Sequence, residues 1–215
     1  MVVKKLFFAT AAVLMMLGFG TAGAQDQGAY IGIGIGQSNA PKAETCHDPK
    51  LFSTVGGCND KNTSTGAKLF GGYQFNQYGA AEVSYVNLGK FTISANGNIS
   101  GTPTTASGSS KPRGFSVDAV GTWPITPEFG VVGRIGVFRW TLDTSSSLSF
   151  GNNPPTDTRY KASGNSLDFG LGVKYDINKN VGVRAELQRF QGIGDDTTGK
   201  ADVDSISASF VYRFR

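Results

Sequence analysis

The chain is predicted to be all-β, folding as an eight-stranded antiparallel up-and-down transmembrane β-barrel. Three observations carry that prediction. Eight segments alternate apolar and polar residues, the connections between them alternate long and short, and the N-terminus reads as an export signal with no long apolar run after it. Only helices and closed barrels satisfy every backbone polar group in lipid, so membrane insertion of such a chain has to be by strands. In a membrane barrel the apolar face of each strand meets lipid and the polar face lines the lumen.

The signal consists of the basic pair Lys4 and Lys5, an apolar stretch over 6–19, and the small residues Ala22, Gly23 and Ala24 before Gln25. Residues 1–24 are therefore expected to be removed and 25–215 to form one barrel domain. The apolar run is too short for a spanning helix, which needs about 20 residues. The formal charge of +4 includes the two signal lysines. The remaining +2 is too small to argue for a nucleic-acid partner.

The final segment, 204–214, places Ile206, Ala208, Phe210, Tyr212 and Phe214 on one face and Ser205, Ser207, Ser209 and Arg213 on the other. Such an aromatic last strand is expected to close the barrel onto the first and to be the segment read by the barrel assembly machinery. The first segment, 29–37, sets Ile31, Ile33 and Ile35 against Gly32, Gly34 and Gly36. Lumen-facing glycines leave room for large side chains opposite. A dinucleotide loop would need a helix next, but Ser38, Asn39 and Pro41 follow.

The intervening segments repeat the pattern. Over 67–75, Leu69, Tyr73 and Phe75 face out and Lys68, Phe70 and Gln74 in. Over 79–88, Ala81, Val83 and Tyr85 face out and Glu82 and Ser84 in. Over 114–123, Phe115, Val117, Ala119 and Trp123 oppose Asp118. Over 129–142, Val131, Ile135 and Val137 oppose Arg134. Over 165–177, Leu167, Phe169, Leu171, Val173, Tyr175 and Ile177 oppose Asp168, Gly170, Gly172, Lys174 and Asp176. Over 181–190, Val183, Ala185 and Leu187 oppose Arg184, Glu186 and Gln188.

Connections over 38–65, 89–112, 143–164 and 191–203 are long, polar and expected to be loops, while 76–78, 124–128 and 178–180 are short turns. Outer-membrane barrels show this asymmetry, with short periplasmic turns and long extracellular loops. A soluble β-sandwich would not produce it.

Cys46 and Cys58 are the only cysteines, and in an exported chain they are expected to form a disulfide stapling the first long loop. His47 is the single histidine, so neither a closed metal site nor a catalytic triad is expected. Asp195 and Asp196 form an adjacent acid pair more readily explained as solvated. No catalytic residue and no cofactor is assigned.

The stretches Gly71-Gly72-Tyr73-Gln74 with Asn76 and Tyr78, Trp123-Pro124-Ile125-Thr126 with Arg134, and Val183 to Gln188 running on to Tyr212-Arg213-Phe214 resemble the transmembrane domain of OmpA-type outer membrane proteins. The resemblance implies a Gram-negative outer-membrane barrel with structural and adhesive roles and weak pore activity. It also implies a lumen plug in which an arginine at Arg184 pairs with a glutamate at Glu82 and can switch partners. The switching positions, a lysine and a glutamate in the family, are Val120 and Lys174 here, so that gate is not expected to work unchanged. The family's peptidoglycan-binding domain follows its barrel, whereas the chain ends one residue after Phe214, and wall anchoring is not expected to carry over.

The inward charges are Lys68, Arg134, Lys174 and Arg184 against Glu82, Asp118, Asp168 and Glu186. Unpaired charges in a narrow lumen are costly, so this balance predicts an ion-pair network that fills the interior. If Trp123 pairs with Phe129, Asp118 faces Arg134. The same count sets Lys174 against Arg184, with Glu186 and Glu82 to neutralise them.

Alternation turns Arg139 and Arg189 outward, about 10 Å apart with one strand between, as a lipopolysaccharide phosphate contact. The alternative is a bulge at each strand top that turns both inward and sends Trp140 and Phe190 to the aromatic girdle. The expected protein is a monomeric barrel with a structural role in the envelope and at most weak small-ion pore activity. The other readings are an adhesin acting through its loops and, remotely, a lipid-modifying enzyme or protease.

Overall fold

The computed structural model describes residues 27–40, 54–99, 101–151, 153–195 and 199–214. Among them are ten strands: β1 (Gly28–Asn39), β2 (Thr54–Lys61), β3 (Thr63–Gln74), β4 (Gly79–Asn87), β5 (Phe91–Ile99), β6 (Thr102–Pro124), β7 (Phe129–Phe150), β8 (Thr156–Asp176), β9 (Val181–Ile193) and β10 (Ala201–Arg213). Every pairing is antiparallel. The order β6-β4-β3-β1-β10-β9-β8-β7 returns through the β6–β7 pairing, so eight strands close into a barrel. Closure joins the first and last of the described strands, from Tyr30 opposite Arg213 to Asn39 opposite Asp204.

All eight predicted strands are present, and β2 and β5 add to them. The long connections are corrected from loops to strands: β7 continues to Phe150, β8 begins at Thr156, and β6 begins at Thr102. Above the membrane both faces of a strand meet water, so no apolar alternation marks it in the sequence. The ladder already formed in the barrel wall carries on upward and satisfies the backbone. On β6 the neighbour changes from β4, which ends opposite Arg113, to β5, which begins opposite Ser110. Pro112 sits at that change, where its missing N–H leaves no gap in a ladder, and its carbonyl accepts from the Leu88 amide.

The three short turns share one device. The Asn76 side chain accepts from the amides of Tyr78 and Gly79, Thr126 from those of Glu128 and Phe129, and Asn178 from those of Asn180 and Val181. Each side chain bonds the backbone two and three residues ahead and tightens the hairpin.

Outside, Ile31, Ile33, Ile35, Leu69, Val83, Val117, Ile135, Leu171, Leu187 and Ile206 form an exposed apolar belt. Trp123, at 71%, is the most exposed of the described large apolar residues, and it stands beside the short turns with Tyr73, Tyr175, Tyr212 and Phe214, as an interfacial girdle requires. Inside, two apolar layers bracket the lumen. Tyr30, Phe70, Ala80, Val120, Val132 and Val211 pack near the turns. A larger layer, including Leu88, Phe138, Trp140, Phe190 and Val203, fills the opposite end. In the layer near the turns the glycine at 32 is required, because a Cβ would lie 2.2 Å from the Phe70 ring and 2.8 Å from the Phe210 carbonyl oxygen.

Candidate functional site

The site is the polar layer between those two apolar layers, and strand parity delivers its members. Lys68, Glu82, Asp118, Arg134, Asp168, Arg184 and Glu186 all point inward and are buried. Glu82, 1% exposed, is the hub. Its Oε1 accepts from Arg134 Nη2 at 2.5 Å and lies 3.7 Å from Lys68 Nζ. Its Oε2 accepts from Arg184 Nη1 at 2.9 Å and from the Tyr30 hydroxyl at 3.1 Å.

Glu186 forms the second anionic centre, 3.0 Å from Arg134 Nε, 3.6 Å from Lys68 Nζ and 3.7 Å from Arg184 Nη1. Three cations thus surround two carboxylates. Arg134 also reaches Asp118 at 3.6 Å. Asp118 belongs to a smaller group beyond it: the Ser116 hydroxyl lies 3.0 Å from Asp118 and 2.6 Å from Asp168, and Gln188 donates to Asp168 at 2.7 Å. The Arg184 guanidinium centre stands 4.9 Å from the Phe70 ring centroid, so the aromatic floor takes part of its charge.

Two expectations are corrected. Asp118 stands opposite Gly136, and Val120 opposite Arg134, because Trp123 pairs with Val131 rather than Phe129. The turn hydrogen bonds from the Ile125 and Thr126 amides to the Phe129 carbonyl set the ladder two positions further along. Asp118 therefore meets Arg134 diagonally. Lys174 does stand opposite Arg184 across the ladder, yet it is outside the cluster. Its ammonium lies 3.3 Å from Asp176, which also binds Arg213, forming a separate group at the turn end of the lumen.

Arg139 and Arg189 face outward and Trp140 and Phe190 inward, with an unbroken register along β7 and β8 and through Arg189 on β9. No bulge intervenes. The two arginines are further apart than their positions suggested: Arg139 pairs with Asn165 and Arg189 with Phe169, an offset of four residues along β8, roughly 13 Å, on top of the two strand spacings between β7 and β9. The Arg189 guanidinium is held by Asp204 at 2.5 and 2.7 Å.

Cys58 lies on β2 opposite Ala95, while Cys46, His47 and Asp196 lie outside the described residues. The Tyr160 hydroxyl donates to Asp195 at 3.2 Å. Among the described residues no group of three His, Cys, Asp or Glu side chains is placed to hold a metal ion.

Sequence reasoning missed Tyr30, Ser116 and Gln188 as members of the site, and the Trp140–Phe190 plug above it. The parity that assigned Arg134 inward also assigns Trp140, so that signal was available. The partners of Ser116 come from other strands and have no local signature.

A profile of the family described as OmpA-like transmembrane domain matches residues 24–215. The chain is 29% identical over 211 residues to outer membrane protein A of Salmonella typhi, covering 96% of this chain and 55% of that protein. It is 30% identical over 211 residues to outer membrane protein A of Shigella flexneri, again covering 96% and 55%. The chain spans about half the length of these relatives. Among solved structures it is similar to Ail, the attachment invasion locus protein of Yersinia pestis in complex with sucrose octasulfate, with a TM-score of 0.48 and 15% identity over 88% of this chain and 99% of that chain.

Proposed function

The chain belongs to the family of OmpA-like transmembrane domains, and from that premise we propose that it is a structural barrel of the Gram-negative outer membrane whose lumen is closed at rest. The observation that carries this reading is the layering of the interior. A buried ionic layer centred on Glu82 lies between apolar layers that include Phe70 and Val132 on one side and Phe138 and Phe190 on the other. An ion crossing it would have to displace charges already paired to one another and then pass packed aromatic rings. An eight-stranded barrel is only wide enough for its side chains to fill.

Refolded protein in planar bilayers tests the reading. Wild type should give a silent membrane, and regular single-channel steps would overturn it. The same preparation should migrate differently on a denaturing gel before and after boiling, as a folded barrel does. In this role the chain works as a monomer in outer-membrane lipid, lipopolysaccharide included, and its terminal strand β10 is the segment the assembly machinery reads. No catalytic activity is part of the reading.

A second reading, surface adhesion, draws on the extended hairpins. Asn59, Ser94, Ser107, Ser147 and Asp157 stand in one row across β2, β5, β6, β7 and β8, so the wall rises as a five-stranded sheet with a hydroxyl-rich face. Host-cell binding by bacteria expressing the full chain or one shortened in these hairpins tests it, equal binding counting against adhesion.

A further inference from the structure

The outward face of β6, β7 and β8 is a grid whose rows are set by the register. Rising from the apolar belt, the rows are Val117, Val137, Leu167, then Phe115, Arg139, Asn165, then Arg113, Thr141, Ser163, then Lys111, Asp143, Lys161, then Ser109, Ser145, Arg159. Rows are about 7 Å apart and columns about 5 Å. Five cations therefore stand on three adjacent strands within four rows, starting one row above the belt, against Asp143 inside the patch and Asp157 one row beyond it.

Part of this charge is already placed. Arg113 donates to Asp143 at 2.8 Å, and Arg139 donates to the Asn165 side chain at 3.2 Å, a neutral partner that orients the guanidinium without neutralising it. Among the described residues Lys111, Arg159 and Lys161 have no ion-pair partner. Lys61 on β2 extends the Arg159 row through Thr92 and Ser109, while the strands on the far side carry no such band. At the same height β9 offers only Arg189, engaged by Asp204, while β1, β3 and β4 turn out Gln37, Thr65 and Asn87.

We propose that this basic band binds the phosphate groups of lipid A, the acylated glucosamine disaccharide of the outer leaflet. The ligand's chemistry follows from the grid. Its acyl chains would lie on Val117, Val137, Leu167 and Phe115, and its phosphates one to three rows higher, against Arg139, Lys111 and Lys161. Guanidinium groups pair with phosphate bidentately, and clustered cations beside a membrane recognise anionic headgroups. Lys111 and Lys161 flank Asp143 about 10 Å apart, so they grip separate oxygens or separate phosphates. Arg189 is not part of the site. The proposal rests on the reading of the chain as an outer-membrane barrel with its long hairpins outward.

The test compares wild type with the triple variant Lys111→Gln, Arg139→Gln, Lys161→Gln, and with Arg189→Gln as a control outside the band. Each is refolded into phosphatidylethanolamine vesicles that carry, in turn, bisphosphorylated lipid A, dephosphorylated lipid A, or phosphatidylglycerol at matched charge. Thermal unfolding is read by the gel shift. Wild type and Arg189→Gln should show a rise in midpoint with bisphosphorylated lipid A that dephosphorylated lipid A does not give, and the triple variant should lose most of that rise. An equal rise in the triple variant, or an equal rise with dephosphorylated lipid A, overturns the site. An equal rise with phosphatidylglycerol reduces the band to general attraction for anionic lipid and overturns the commitment to lipid A. A Ser147→Cys variant on intact cells checks the premise separately. Labelling by a membrane-impermeant maleimide is expected, and its absence overturns the orientation as well as the site.

Discussion

Glu82 on β4 and Arg184 on β9 meet at 2.9 Å although four strand-to-strand steps separate them by either route around the wall. Their contact crosses the full width of the lumen, so the ion pair ties opposite sides of the barrel together. Replacing Glu82 by Ala leaves Arg134, Arg184 and Lys68 with Glu186 as their main counter-charge. Removing one partner of a buried pair typically costs about 3–5 kcal/mol. Glu82→Ala should lower the unfolding midpoint in detergent and raise conductance in planar bilayers, by a small amount while the aromatic layer above it stays in place. A variant indistinguishable from wild type in both would remove Glu82 from the centre of the network.

Phe138 and Phe190 have no exposed surface, and their ring centroids lie 4.8 Å apart with Trp140 in the same layer. Truncating Phe190 to Ala should cost about 3–5 kcal/mol, as for other buried aromatic residues. If the plug and the ionic layer close the lumen in series, Phe190→Ala alone should conduct little and Phe190→Ala with Glu82→Ala more than either. Equal conductance of the double variant and Glu82→Ala would show that the plug closes nothing.

A Cys46–Cys58 disulfide would tether β2, which carries Cys58 and is not a member of the closed ring. Reduction should therefore leave the barrel's unfolding midpoint unchanged while altering protease sensitivity of the first hairpin. Two thiols reacting with maleimide on protein taken from cells without reductant would contradict the bond.

Export should remove residues 1–24. Intact mass of the envelope protein is expected to correspond to a start at Gln25, and a mass that includes the Lys4-Lys5 segment would contradict cleavage.

The sequence by itself determined which side of the wall each membrane-embedded residue occupies. Parity is a local property of an extended backbone, and it was legible wherever lipid demanded one apolar face, from Ile31, Ile33 and Ile35 to Leu167, Phe169 and Leu171. It was not legible over 143–164, where water on both sides removes the contrast and the ladder continues through Ser145, Ser146 and Ser147. Only the tertiary structure decided which inward charges meet. Whether Asp118 faces Arg134 or Gly136, and whether Lys174 joins Glu82 or Asp176, depends on hairpin register and on how closure sets strands four apart across the lumen. A buried charge takes whichever partner that geometry brings within reach, and nothing in its own stretch of sequence encodes the distance.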